Sequence, residues 1–292
     1  MVITIVGASG FVGSHCVPHL AAQGHTVRAV SRSGGSRAAA NVQPMRGDVE
    51  TGAGLDEALA GADAVVHLVA IPREGKGGTF EEVNVRGVRR VVEAAKRNGV
   101  RRIVHLSAMG VTDDPRLRYL SSKCRGEQIV RESGLEWVVL RPSLLFGNGD
   151  GFFNIVKTTL TWWSPGIVAI PGDGQARFQP LSVDDLAIAV EASLTDAGRT
   201  GRVYELGGPD HVTYREIVDR VARVTGKRRL KVNVPVLLIS ALTVVTDRLL
   251  PIFPVSHDQI GSLGRPNFTD LDAFERDFGV RPRPLDLSYL AG

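Results

Sequence analysis

An α/β fold, built on a doubly wound parallel sheet with a smaller C-terminal region, is predicted by three observations. The apolar β-type run Val2-Ile3-Thr4-Ile5-Val6 leads directly into Gly7-Ala8-Ser9-Gly10-Phe11-Val12-Gly13. Short β-rich runs then alternate with helical ones through the first half of the chain, which makes a parallel sheet with helices packed on it. After about Gly147 the rhythm becomes irregular, so the later chain is expected to build a separate, smaller region.

The first strand is followed by a glycine-spaced turn and an apolar-periodic helix. Gly7 permits the tight exit from the strand, Gly10 lets backbone approach a ligand, and Gly13 lets the helix pack close to the sheet. In this context the turn and helix N-terminus hold a dinucleotide pyrophosphate on free N–H groups and the positive end of the helix dipole. Residues Gly7, Ala8, Ser9, Gly10, Phe11, Val12 and Gly13 are therefore candidates for cofactor binding. Pro18, well inside the helix, should cost one backbone bond and bend it.

Further strands are expected at 26–30, 64–69, 102–106 and 137–140, with helices at 80–98 and 121–132. In the first of these helices Val83, Gly87, Val88, Val91, Val92 and Ala95 form one apolar face, and Asn98-Gly99 supplies the stop. Pro and Gly cluster at 164–166 and 171–174 before 179–181, the helix 183–194 and the strand 203–206 restore the rhythm. Residues 213–292 carry three more helical segments and no convincing parallel unit. The expected division is a Rossmann-like domain over 1–147, completed by about 176–206, and a cap from 148–175 and 207–292. A ligand would lie between cap and sheet, at the C-terminal strand ends.

With 292 residues, 43% hydrophobic and 23% charged, the chain can bury a substantial core and is neither disordered nor fibrous. Its net charge of +4 comes from scattered Arg with acids interleaved, and no aromatic-rich basic stripe is present; nucleic acid is not an expected partner. Cys16 and Cys124 cannot form a zinc site alone and fall in helical segments, which fits a reduced, cytoplasmic protein. Met1 leads straight into the first strand, so no cleaved signal peptide is expected. The apolar stretch 232–255 is broken by Pro235, Asp247, Arg248, Pro251 and Pro254, and falls short of the roughly 20 apolar residues of a spanning helix.

Cofactor choice is read at the end of the second strand, where NAD-specific folds place an acid on the ribose 2′-hydroxyl. Here Arg28-Ala29-Val30-Ser31-Arg32-Ser33 contains no acid. Arg32, with Ser31 and Ser33 as donors and Arg37 nearby, favours a 2′-phosphate, hence NADP(H) over NAD(H). Tyr119 and Lys123 are four apart, so on a helix they share a face. An adjacent ammonium and an oxidised nicotinamide would lower a tyrosine pKa from about 10, letting Tyr119 exchange a proton with a carbonyl or alcohol oxygen during hydride transfer.

Other groupings carry less. His15 and His19 lack a third ligand, so no metal is expected; His67 and His105 read as core residues within strands. Ser143, His211 and Asp184 have no G-x-S-x-G elbow to support a hydrolase. Phe152, Phe153, Trp162, Trp163 and Phe178 would form cap core or wall an apolar pocket. The nearly all-apolar helix 236–250 should be buried or covered by a partner.

Read in order, Gly7-x-x-Gly10-x-x-Gly13, Gly47-Asp48-Val49, Asp63-Ala64-Val65-Val66-His67-Leu68-Val69-Ala70, Asn84-Val85-x-Gly87, Tyr119-x-x-x-Lys123, Leu140-Arg141-Pro142-Ser143 and Val183-Asp184-Asp185 resemble the extended short-chain dehydrogenase/reductases. More closely they resemble the atypical branch that includes the accessory NADPH-binding subunit of respiratory complex I. The resemblance covers nearly the whole chain. It implies that Asp48 and Val49 flank the adenine, although Asp48 could equally cap the next helix. It implies too that the backbone at Leu68, Val69 and Ala70 lines the ribose and phosphates, that Lys123 bonds the nicotinamide ribose, and that Asn84, Pro142 and Ser143 belong to the cofactor site.

One departure stands out. Ser107-Ala108-Met109-Gly110 puts Ala108 where the family carries its polarising Ser or Thr, so Ser107 or Thr112 would have to substitute. Loss of one such donor costs on the order of 100- to 1000-fold in rate. The implied function is an NADP(H)-dependent oxidoreductase or epimerase-like enzyme on a small carbonyl, alcohol or apolar substrate, with Tyr119, Lys123 and Ser107 catalytic. The alternative is a non-catalytic NADPH-binding subunit, assembly factor or redox sensor of respiratory or quinone metabolism, with a protein or membrane-associated partner and a place peripheral to the membrane.

Overall fold

In the computed structural model, which describes residues 1–35, 39–75, 77–161, 166–227, 229–239 and 267–291, the apolar runs pair as a seven-stranded sheet. Its strands are β1 (Val2–Val6), β2 (Thr26–Ser31), β3 (Val42–Arg46), β4 (Ala64–His67), β5 (Arg102–Leu106), β6 (Glu136–Pro142) and β11 (Arg202–Leu206), in the order β11-β6-β5-β4-β1-β2-β3. All pairings from β3 across to β6 are parallel. The order reverses between β1 and β4, the place where such sheets take ligands at their carboxyl ends. β3, absent from the sequence reading, is an edge strand with only Val42 buried and with Pro44 inside it.

The helices of this unit are α1 (Phe11–Ala22), α2 (Leu55–Leu59), α3 (Gly87–Arg97), α4 (Arg118–Arg131) and α6 (Val183–Thr195). α1 runs on through Pro18. Residues Glu81–Arg86, expected to continue one helix with α3, are wound instead as a π-helix, and α4 lies against them. A Cβ on Gly126 of α4 would sit 2.5 Å from the Asn84 carbonyl oxygen, so glycine sets that close approach. Val6, Leu55, Leu59, Val65, Val83, Val88, Val91, Ile103 and Val139 form the core.

α1 is tied to α6 by two histidine–carboxylate contacts, His15 Nδ1 to Asp184 Oδ1 at 2.8 Å and His19 Nε2 to Glu191 Oε2 at 2.7 Å. These acids are far off in sequence, which is why the two histidines look unpartnered there. Cys16 is fully buried, and burial, aided by Asp184, pushes its thiol up to about 12, leaving it unreactive.

The chain divides into Met1–Pro142 with Val183–Glu205, and Ser143–Ser182 with Leu206–Gly292. The first break therefore falls five residues earlier than the expected 147, because β7 (Leu145–Phe146) pairs in parallel with β10 (Leu181–Ser182) and keeps both with the second unit. That unit also contains β9 (Arg177–Phe178) antiparallel to β12 (Val212–Thr213), and β8 (Ile167–Pro171) parallel to β13 (Leu230–Val234). The last pairing gives 213–292 one strand, whose parallel partner lies outside that stretch.

Its helices are α5 (Phe152–Thr161), α7 (Tyr214–Val224) and α8 (Ala273–Phe278). α7 starts in a reciprocal cap, with Thr213 Oγ1 accepting from the Glu216 amide and the Glu216 carboxylate accepting from the Thr213 amide. Asp150 accepts from the Phe153 amide at 2.7 Å and from the Tyr289 hydroxyl, pinning α5 and the C-terminal segment together. Phe153 and Phe178 are core residues here with Phe152 packed against them. Trp162, Trp163 and most of the expected helix 236–250 lie outside the described residues.

At the end of β4 and β5, His67 sits opposite His105, ring centroids 5.2 Å apart, both buried and with no ring nitrogen hydrogen-bonded among the described residues. Burial, followed by the Lys123 charge, pulls His67 down to about 3 and holds His105 well below the usual range. In the unfolded chain these rings take protons below about pH 6.5. The stabilisation is thus complete above that pH and is lost as pH falls toward 3, by up to about 1.4 kcal/mol per pH unit for each ring. The urea midpoint is expected to drop steadily from pH 7 to pH 5, and less steeply in His105→Phe; an unchanged midpoint would contradict neutral burial.

Candidate functional site

The β1–α1 connection is built by close backbone approach. Gly7 has φ +100° and its amide, like that of Ala8, donates to the Val30 carbonyl, at 3.1 and 3.0 Å. A Cβ on Gly13 would lie 2.4 Å from the Gly7 oxygen and 2.6 Å from the Ala8 oxygen, so no other residue fits without moving main chain. Gly10 precedes α1 with no side-chain cap, so the amides of the first turn at Phe11, Val12 and Gly13 could serve an anion. Ser9 and Gly10 are exposed, Ala8 is buried, and Val69 packs on Gly7. The Leu68 amide donates to the Val6 carbonyl at 2.9 Å, which keeps the Leu68-Val69-Ala70 main chain beside this turn; β4 itself ends at His67, earlier than expected.

At the other end of the cradle the Ser31 hydroxyl is buried without a hydrogen-bond partner. Beside it Arg32 is 71% exposed and Ser33 is exposed. Arg37 lies outside the described residues. An orphaned hydroxyl and an outward guanidinium at the end of β2 fit the ribose end of a dinucleotide, as the glycine turn fits its pyrophosphate. Asp48 does not cap a helix: its carboxylate accepts from the Glu50 amide at 2.9 Å, while α2 is preceded by Gly54. Val49, the residue expected to flank the adenine, is 6% exposed and packed in the core.

The Asn84 side chain is engaged within the fold. Its amide nitrogen donates to the Ile71 carbonyl at 3.1 Å and to the Ser122 hydroxyl at 2.9 Å, and its oxygen accepts from the Ile71 amide at 2.9 Å. Both N–H bonds are committed, so Asn84 braces the 69–71 loop against α4 and has no donor left for a ligand. Pro142 is buried and its carbonyl accepts from the Met109 amide at 3.0 Å. Ser143 belongs to the second unit, where its hydroxyl donates to Asn267 Oδ1 at 2.5 Å and accepts from the Gln179 amide at 3.1 Å. His211 is bonded to the Thr269 carbonyl, and Asp184 to His15.

α4 begins at Arg118, earlier than expected, which brings Tyr119 into the helix one turn before Lys123. Lys123 is buried and its Nζ donates to the Leu106 carbonyl at 2.6 Å, at the carboxyl end of β5. Burial brings it down to about 8 although Glu127 opposes this. Tyr119 is half-buried beside Phe80, ring centroids 5.9 Å apart, and burial raises its phenol to about 12. The lowering expected from the lysine is not found: burial is what shifts the phenol.

The third catalytic candidate has another partner. Ser107, 5% exposed, donates its hydroxyl to Glu127 Oε2 at 3.1 Å, and Arg141 grips the same carboxylate with Nε at 2.9 Å and Nη2 at 2.7 Å. Ser107 thus completes a buried carboxylate clamp rather than pointing a free donor outward. Glu127 continues the Tyr119–Lys123 spacing by four more residues, a signal available in the sequence; only its union with Ser107 and Arg141 needed the fold.

Comparison with known proteins agrees with this geometry. The NAD(P)H-binding family model matches residues 7–161, more than half of the chain. The chain belongs to the NAD(P)H-binding family. This member is 30% identical over 97% of its length to the mitochondrial NADH-ubiquinone oxidoreductase 40 kDa subunit of Neurospora crassa, covering 76% of that protein. It is 26% identical over 97% of its length to a 2-alkyl-3-oxoalkanoate reductase of Stenotrophomonas maltophilia, covering 95%. The solved structure of MoeE5 in complex with UDP-glucuronic acid and NAD superposes with TM-score 0.76 at 25% identity, over 100% of this chain and 97% of that one. The protein is thus an NAD(P)-binding short-chain dehydrogenase/reductase-type chain with a nicotinamide cofactor, in a family that includes reductases and a respiratory subunit. Among the described residues no helix is long and apolar enough to cross a membrane.

Gly13→Ala in this NAD(P)H-binding chain is expected to cost about 1–3 kcal/mol in urea unfolding through overpacking. NADPH affinity, followed by nucleotide fluorescence, should fall at least tenfold as α1 is pushed off the turn. A variant with wild-type stability and affinity would show that α1 does not need that approach.

Proposed function

We propose that the protein is an NADP(H)-dependent reductase of small or apolar carbonyl compounds, with Tyr119 as proton donor and Lys123 as the residue that holds the nicotinamide ribose. The observation that carries this reading is the α4 face: Lys123 fixed to the Leu106 carbonyl at 2.6 Å, with Tyr119 one turn away and kept protonated by burial. A phenol with a raised pKa is fully protonated at neutral pH, so Tyr119 starts the reduction with a proton to give. When bound, the nicotinamide supplies the hydride. Tyr119 gives its proton to the developing alkoxide, and Lys123 stabilises the tyrosinate left behind until solvent reprotonates it.

Arg32, Ser31 and Ser33, with Arg37 following, support NADP(H) because a guanidinium and hydroxyl donors match a phosphate. Ser107 is assigned to positioning, through Glu127 and Arg141, and not to polarising the substrate. Tyr119 is then the main donor to the substrate oxygen, and the enzyme should be slow. A second reading, a cofactor-holding protein without turnover that works beside a protein partner, is favoured by the same Ala108 and the engaged Ser107. The mitochondrial relative, named as a subunit, fits that reading as well.

A 2-alkyl-3-oxoalkanoate is the first carbonyl probe, since a relative is named for reducing one. NADPH consumption is expected, with kcat/KM lowered at least 100-fold in Tyr119→Phe while NADPH Kd changes less than threefold; Ser107→Ala should stay within about fivefold of wild type. The rate should be level from pH 6 to about 8 and decline above, as Lys123 loses its proton. NADPH binding with no oxidation across a carbonyl panel would overturn the enzyme reading in favour of the second.

A further inference from the structure

Arg32 has a neighbour that the end of β2 does not reveal. Glu50, in the turn after β3, places Oε1 3.6 Å from Arg32 Nη1. Main chain sets both positions. The amides of Gly34 and Gly47 donate to the Ser31 carbonyl at 3.2 and 3.0 Å, fixing the base of Arg32. On the other side the Asp48 amide bonds Ala53 O at 2.9 Å, Gly52 N bonds Asp48 O at 2.8 Å, and the Glu50 amide bonds the Asp48 carboxylate, closing a turn that presents Glu50. Gly78 leaves room for it, since a Cβ there would come 3.1 Å from Glu50 Oε2.

We propose that Glu50 is a specificity-determining residue for the dinucleotide: it competes with the 2′-phosphate for Arg32 and holds the preference for NADP(H) over NAD(H) below what Arg32, Ser31 and Ser33 would give without it. The inference rests on the reading that Arg32 receives the 2′-phosphate. A phosphate arriving at the guanidinium displaces the carboxylate and remains beside its negative charge. NAD(H), with a hydroxyl at that position, neither breaks the pair nor is repelled, and can donate to the carboxylate. The pair is solvent-accessible, 71% and 32% exposed, so the effect is several-fold and salt-sensitive.

The test is the dissociation constant of NADPH and of NADH for the full chain, at low salt and at 1 M salt, in wild type, Glu50→Gln and Arg32→Ala. Glu50→Gln is expected to tighten NADPH about three- to tenfold at low salt, to leave NADH unchanged or weaken it up to about threefold, and to lose most of the gain at 1 M salt. Arg32→Ala reports on the underlying reading, with NADPH weakened at least tenfold and NADH within about twofold. If Arg32→Ala shifts both nucleotides equally, the 2′-phosphate assignment fails. If it behaves as expected while Glu50→Gln leaves the preference for NADPH over NADH unchanged or weaker, the competition by Glu50 is overturned and the assignment of Arg32 stands.

Discussion

The approach of α1 to the exit of β1 is the constraint around which the first unit is arranged. Gly13 leaves no Cβ between helix and turn, so the first amides of α1 are held against the bend made by Gly7. Hydrophobic packing alone would not fix the helix in rotation, and the two histidine contacts to α6 help to do so. Diphosphate recognition therefore depends on main chain held by packing on one side and by polar side chains on the other.

A second line of polar groups runs along α4. Tyr119, Lys123 and Glu127 follow one another at single-turn intervals, from a half-exposed phenol to a carboxylate enclosed by Arg141 and Ser107. Burial raises the first and lowers the second, so their proton affinities, nearly equal in water, are driven apart and the phenol holds its proton more tightly than the ammonium. The same burial leaves His67 and His105 neutral, and the Lys123 charge, bonded to the Leu106 carbonyl, acts on both.

Much of this is legible in the sequence, for local reasons. β1, β2, β4, β5 and β6 are runs of buried apolar residues, the glycine turn is contiguous, and a four-residue interval on a helix means a shared face. β3 escapes because an edge strand with one buried side chain has no apolar signature. The roles of Asn84, Val49 and Ser107 escape because their partners, Ser122, the α3 side of the core and Glu127, meet them only in three dimensions. In the second unit two-residue strands and pairings such as Ile167 with Leu230 leave no periodicity to read.

Both units are interleaved in the chain, each leaving off and resuming once. During synthesis β6 must wait as an open sheet edge, and α1 must wait with one flank bare, until Val183–Glu205 has left the ribosome. The strand β8 waits longer still, for residues 230–234. Each unit thus reaches completion only after part of the other has been made, and a nascent chain halted near Pro142 carries a nucleotide cradle without the helix that steadies it.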